Sequence, residues 1–213
     1  MDALTAIHIA GGAVGLGLGA VAIAAKKGSL LHKKAGWIFT AGMVVMAIPG
    51  GWLAYDVGKP FDVMSSLVAL YMVLTGWRTF VQTPQREATA AIAVASLCIA
   101  GYLAVELYAI FFNVRATDAP PGAGYVFATI LVLSLLGDFR FKQGAYQRRK
   151  LVVRHLWRMN FGLFMATASF FGARPHLFPD WMQSYGILAL LTFIPLIVMA
   201  YWRFKFRSTA ASV

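Results

Sequence analysis

A single cysteine, Cys98, stands in 213 residues. One thiol excludes an intrachain disulfide, a Cys-pair metal site and a C-x-x-C-H haem attachment; inside an apolar run, its expected role is packing. Acids are scarce too: eight Asp and Glu stand against nineteen Lys and Arg, and charged residues make up only 13% of the chain. What charge there is avoids seven long stretches, 4–25, 35–55, 63–81, 88–112, 124–139, 155–172 and 181–202, which are nearly free of Lys and Arg. No soluble domain can be fitted into the short gaps between them, so the chain reads as one domain over 1–213.

What is present fits a membrane. Hydrophobic residues make up 60% of the chain and the mean hydropathy is +0.69. A helix needs roughly 20 apolar residues to cross about 30 Å of hydrocarbon. The expectation is an all-α, multi-pass bundle of seven transmembrane helices. The gaps set its orientation through the excess of Lys and Arg on the cytoplasmic side. Alternate gaps hold Lys26, Lys27, Lys33 and Lys34; Arg78 and Arg86; the basic run from Arg140 to Arg158; and Arg203, Lys205 and Arg207. That is sixteen basic residues on one side against Lys59, Arg115 and Arg174 on the other. The N-terminus is therefore expected outside and the C-terminus in the cytoplasm of an inner membrane. The net charge of +11 is then a matter of topology, and nucleic acid is excluded as a partner. The Arg148-Arg149-Lys150 cluster suits anionic lipid headgroups.

The first stretch differs from a cleaved leader. It starts Met1-Asp2 with no basic n-region, and lysines follow its apolar run where a small-residue cleavage site would stand. Gly11, Gly15 and Gly19 recur at i, i+4 and i+8, a spacing that lets another backbone or a flat cofactor approach closely. Pro49-Gly50-Gly51 and Pro195 should disturb the second and seventh helices, and Pro120-Pro121-Gly122 should end the loop before the fifth.

The histidines carry the chemical signal. His8 lies about 9 Å below the outer end of the first helix at 1.5 Å per residue. His32 precedes the second helix, His155 opens the sixth on the cytoplasmic side, and His176 follows it outside. With the first and sixth helices adjacent, His8 can meet His176 and His32 can meet His155, in two layers roughly 25–30 Å apart. The acids within spans fall in the same layers. Glu106 is in the outer third of the fourth helix, and Asp138 is near the inner end of the fifth. An ionisable group at that depth faces the bundle interior with a partner. His8 or Arg174 is the candidate for Glu106, and His32, His155 or a nearby Arg for Asp138. The outer set, His8, His176 and Glu106, has the ligand types of a metal site, and the inner set, His32, Asp138 and His155, repeats them.

The run from His8-Ile9-Ala10 through the glycines to His32-Lys33-Lys34-Ala35-Gly36-Trp37 resembles the opening of bacterial predicted membrane proteins grouped as domain of unknown function 2306. Those carry a His in the first helix and a His-Arg-x-x-Gly turn before the second; Lys33 stands here where Arg is more usual. Arg154-His155-Leu156-Trp157-Arg158-Met159, with Arg174 at the end of the stretch, resembles the second His-bearing helix of that family. The resemblance spans about half the chain and carries over His8, His32, His155 and Arg174, but not His176 or Glu106. It implies a site without a chemistry.

Other classes of membrane protein fit less well. A rhodopsin needs a lysine in its seventh span for a retinal Schiff base, and 181–202 has none. Seven-span zinc hydrolases use His-x-x-x-His pairs, which are absent. A transporter built of repeats would show matching halves, and none is visible. Histidines in paired layers, small residues and aromatic neighbours suit haem b or a transition metal serving electron transfer. Membrane lipids, a quinone or other membrane subunits are then the expected partners. The competing expectation is a structural or assembly subunit with no cofactor of its own.

Overall fold

The computed structural model describes residues 2–80, 85–112, 122–142, 148–172, 174–184 and 186–208, and is helical throughout these segments. Arg115, the Pro120-Pro121 stop and the expected end of the third span at Val81 lie outside the described residues. Eight α-helices follow in order: α1 (Ala3–Ala24), α2 (Leu30–Asp56), α3 (Pro60–Trp77), α4 (Gln85–Phe112), α5 (Ala123–Lys142), α6 (Arg148–Thr167), the short α7 (Asp180–Ser184) and α8 (Ile187–Ser208). A 3-10 turn, Arg78–Phe80, extends α3, and a π-helical turn, Ala168–Gly172, extends α6.

Local chemistry sets the ends of these helices. The Asp2 carboxylate accepts the Thr5 amide at 2.7 Å and caps α1. These bonds from Thr5 also hold its pKa below the usual carboxylate value. Ser29 Oγ accepts the His32 amide at 3.2 Å and starts α2, and Pro60 opens α3 at a position where its missing amide costs nothing. Lys27 Nζ reaches back to the carbonyls at the end of α1, including Ile23 O and, at 3.3 Å, Ala22 O. Gly186, at φ 67°, occupies the left-handed region that side chains avoid. It separates α7 from α8, so the stretch 181–202 expected as one span is instead a short helix, a turn and a long helix.

Among the described residues, six helical segments are long and apolar enough to cross a membrane: Ala3–Ala24, Leu30–Asp56, Pro60–Phe80, Thr89–Phe112, Ala123–Lys142 and Ile187–Lys205. Their outward faces are greasy, with Trp37, Trp52, Leu97, Leu107 and Phe111 among the exposed side chains. Such a surface suits lipid rather than water. The stretch expected as the sixth span lies in α6 and is absent from these six, because α6 carries Lys150, Arg154 and Arg158.

In space α6 is central, packing against α3, α8 and α1, while α3 also meets α2 and α4, and α5 lies on α4. Two cores result. One gathers Val68, Tyr71, Met72, Cys98, Tyr102, Leu131 and Phe161 from α3 to α6; the other gathers Phe39, Met43, Val73, Leu163 and Ala166 from α2, α3 and α6. Cys98 is a buried free thiol within the first.

Lipid supplies no hydrophobic drive between helices, so close backbone contact has to hold them together. The glycine stripe of α1 provides it. A Cβ on Gly11 would lie 2.7 Å from Met46 N, and one on Gly42 would lie 2.9 Å from Gly15 N, so the two backbones cross there with no room for a side chain. Gly19 abuts Leu163 and Phe39 in the same way, whereas a Cβ on Gly15 would meet only the Met43 side chain, at 3.4 Å. Between α3 and α6 the close approaches are Gly76 against Arg158 and Gly162 against Val73.

Candidate functional site

Three of the four histidines make the same contact. His8 Nδ1 lies 2.7 Å from Met46 O, His32 Nδ1 lies 2.9 Å from Ala22 O, and His155 Nδ1 lies 2.9 Å from Gly76 O. A carbonyl only accepts, so each Nδ1 carries a proton and donates it, which puts the lone pair of the neutral form of each ring on Nε2. Each ring thereby ties one helix to the backbone of another: α1 to α2, α2 to α1, and α6 to α3.

The dock for His8 is written in the Pro49-Gly50 pair. Proline has no amide to donate within α2 and pushes against the preceding turn, loosening the carbonyls there. Met46 O, three residues before Pro49, takes the imidazole. Gly50 makes the space, since a Cβ there would lie 2.7 Å from both Cε1 and Nδ1 of His8.

At the opposite end of the bundle, His32 and His155 meet edge to face, with ring centres 6.3 Å apart and planes at 72°. Phe80 packs on His155 at 5.3 Å between centres. With metal–nitrogen bonds of about 2.0–2.1 Å, two imidazoles on one ion have ring centres roughly 5–6 Å apart, so this pair is near the separation a shared centre needs. The carbonyl bonds on Nδ1 do what such a centre requires of the surrounding protein: they fix the tautomer and aim the ring. The expected meeting of His32 and His155 is thus present. The level of Ala22, to which His32 is bound, is fourteen residues along α1 from His8. That is about 21 Å, somewhat less than the spacing expected.

Asp138 does not join them. It is 1% exposed and lies at the centre of a separate cluster of charge among α3, α5 and α6. Its Oδ1 accepts from Arg154 Nη2 and Arg158 Nη2, each at 2.7 Å, and its Oδ2 accepts from the Tyr71 hydroxyl. Arg158, also 1% exposed, further donates to Ser134 O at 3.1 Å and to Thr75 Oγ1, and its guanidinium stacks 4.8 Å from the centre of the Tyr71 ring. Arg154 Nη1 donates to Thr75 O at 2.8 Å and Thr79 Oγ1 at 2.6 Å. Neither Asp138 oxygen is bonded to His32 or His155, which corrects the expected inner triad. A buried carboxylate is held most firmly by charge-assisted bonds, and two arginines one helical turn apart on α6 outcompete the neutral imidazoles. This cluster was missed from the sequence, where Arg154 and Arg158 read as loop charge. The signal available was their i, i+4 spacing, matched by Tyr71 and Thr75 on α3.

The outer set is not brought together. Glu106 Oε1 accepts the Gly124 amide at 2.7 Å, capping the start of α5, where free amides and the helix dipole favour an anion. Its partner is therefore neither His8 nor Arg174. His176 is exposed in a 3-10 turn, Pro175–Leu177, with Arg174 exposed beside it. Among the described residues, no three of His, Cys, Asp and Glu are grouped so as to hold a metal ion. Comparison with family profiles, curated proteins and solved structures yields no match to this chain.

Proposed function

We propose that the chain is a seven-span protein of an inner membrane, with its N-terminus outside and C-terminus cytoplasmic, whose His32–His155 pair binds a transition metal or the iron of haem b and serves electron transfer. The observation that carries the reading is the pairing itself: two imidazoles with ring centres 6.3 Å apart, each with Nδ1 spent on a carbonyl, which leaves Nε2 to ligate. A bound centre would supply a one-electron couple near the cytoplasmic surface. Around it this chain's residues aim the two rings, and Phe80 shields His155 from water. A quinone or another membrane subunit is the natural electron partner, and a resemblance to domain of unknown function 2306 would carry over three of the histidines, His8, His32 and His155.

The seventh span in this reading is α6 with its π-helical turn, 148–172. At 1.5 Å per residue it reaches roughly 35 Å; Arg154 and Arg158 turn inward to Asp138, while Arg148 and Arg149 are exposed at its start. The sixteen-to-three division of Lys and Arg supports the orientation.

The test is the visible spectrum and metal content of the protein purified in mild detergent, compared with His32→Ala and His155→Ala, with His176→Ala as control. The reading expects a haem band or about one metal per chain, lost in both inner variants and kept in the control. A protein that carries neither, and takes up neither haem nor Zn²⁺ nor Cu²⁺ when these are added, refutes it. One observation favours the alternative of a structural or assembly subunit without a cofactor: each of the three imidazoles already ties two helices together, which is sufficient reason for a histidine to be there.

A further inference from the structure

On the α3–α4 side of the charge cluster a cleft of about 410 Å³ opens. Its walls are apolar: Leu67, Leu70 and Leu74 from α3 face Ala90, Ala91 and Val94 from α4. Leu67, Leu74 and Val94 are between 38% and 39% exposed, so the cleft opens onto the outer surface of the bundle, where acyl chains lie. Its floor is polar, formed by Tyr71, Thr75 and Arg154, with Arg78 also in the lining.

The electrostatics of that floor are unbalanced. Two guanidiniums, Arg154 and Arg158, share one oxygen of one carboxylate, which leaves a positive charge in excess at a depth where ions are expensive. Arg154 is the one that reaches the cleft; its side chain is 9% exposed and its Nε, alone among its three nitrogens, has no partner. Arg154 has only a share in that one carboxylate, so its buried unbonded donor favours a further anionic oxygen. The group that brings one into an apolar cleft of this shape carries a hydrocarbon chain with it.

From this we infer that the α3–α4 cleft is a binding site for an anionic phospholipid, with an acyl chain between Leu67, Leu74 and Val94 and the phosphate directed at Arg154. The site is separate from the histidine pair and does not depend on it. Zwitterionic phosphatidylcholine offers the same chain and the same phosphate, but its choline brings a positive charge to a floor that already has one too many. Free phosphate offers the anion without the apolar contact.

The experiment is titration of the full-length protein in neutral detergent with dioleoyl phosphatidylglycerol, dioleoyl phosphatidylcholine or glycerol 3-phosphate, read by native mass spectrometry and thermal midpoint. Phosphatidylglycerol is expected to bind about tenfold or more tightly than either competitor, because phosphatidylcholine adds a cation to a floor with positive charge in excess and glycerol 3-phosphate lacks the acyl chains. Ala90→Trp fills the cleft from α4 without touching the charge cluster. It should abolish that preference while the lipid-free midpoint stays unchanged, and Val94→Phe serves in its place should Ala90→Trp fail to fold. Equal binding of the two lipids overturns the proposal, and so does glycerol 3-phosphate matching phosphatidylglycerol. A preference that survives in the plugged variant also overturns it, since the headgroup would then be held elsewhere, for instance at Arg148-Arg149-Lys150.

Discussion

Replacing Asp138 by Asn keeps the shape of the side chain and removes the one negative charge between α3, α5 and α6. Two guanidiniums, 9% and 1% exposed, then lose the one carboxylate that holds them among the described residues. Their bonds to Thr75, Thr79, Ser134 and Tyr71 remain, so the variant isolates charge from hydrogen-bond geometry. Removing one partner of a buried ion pair costs about 3–5 kcal/mol, because the charge left behind is uncompensated. For a chain of this size that corresponds to a fall of roughly 6–20 °C in the thermal midpoint, readable by scanning fluorimetry or size-exclusion after heating. Arg158→Met alone removes one of the two cations and leaves Asp138 paired with Arg154, so it should cost less. In the double variant the Asn faces only one stranded cation, and the loss should be clearly smaller than the sum of the two single losses. A loss below about 1 kcal/mol for Asp138→Asn, the range of exposed ion pairs, would refute the view that this cluster clamps the three helices.

The helix crossings make a contrasting pair. Gly42→Ala drives a Cβ to 2.9 Å from Gly15 N and should cost several kcal/mol in stability, as overpacking does, whereas Gly17, with nothing within 4 Å of its Cβ direction, should accept alanine with a gain of up to about 1 kcal/mol; both are read from thermal midpoints in detergent. Alkaline phosphatase fused after Val213 should be inactive and a fluorescent protein at the same position bright, since the proposed seven-span topology puts sixteen of the nineteen basic residues on the side of that end; the reverse pattern would invert the proposed orientation.

Apolar runs located most of the helices because the bilayer imposes one length on every span. They failed where a helix answers to its neighbours instead. Residues 155–172 were legible as a helix, but the segment is anchored by buried arginines rather than apolar throughout. The run 181–202 hid a break that depends on the single left-handed residue Gly186. The histidine spacing gave the depth of each ring and correctly brought His32 to His155. Depth alone does not say which way round a helix a side chain points, which is why Glu106 was given His8 or Arg174 as its partner when it caps α5, and why Asp138 was left between His32, His155 and a nearby Arg when Arg154 and Arg158 hold it. The Gly11, Gly15 and Gly19 stripe announced a close crossing, while the part Gly42 plays in it, against Gly15, needed both helices to be seen.

The two imidazole ties at the ends of the first hairpin have a bearing on how the chain is built. His8 to Met46 and His32 to Ala22 both close within the first 56 residues, so α1 and α2 can lock together as soon as they enter the bilayer. The clamp is different. Asp138 emerges before either of its cations, and Arg158 follows twenty residues later, about one to four seconds at 5–20 residues per second. Through that interval Asp138 has neither Arg154 nor Arg158 to pair with, and α5 has reason to stay near the insertion machinery or the interface. Arrival of α6 brings both cations of the clamp at once. The order of the chain thus sets two stages for assembly, a hairpin tied by imidazole–carbonyl bonds and a later closure held by charge.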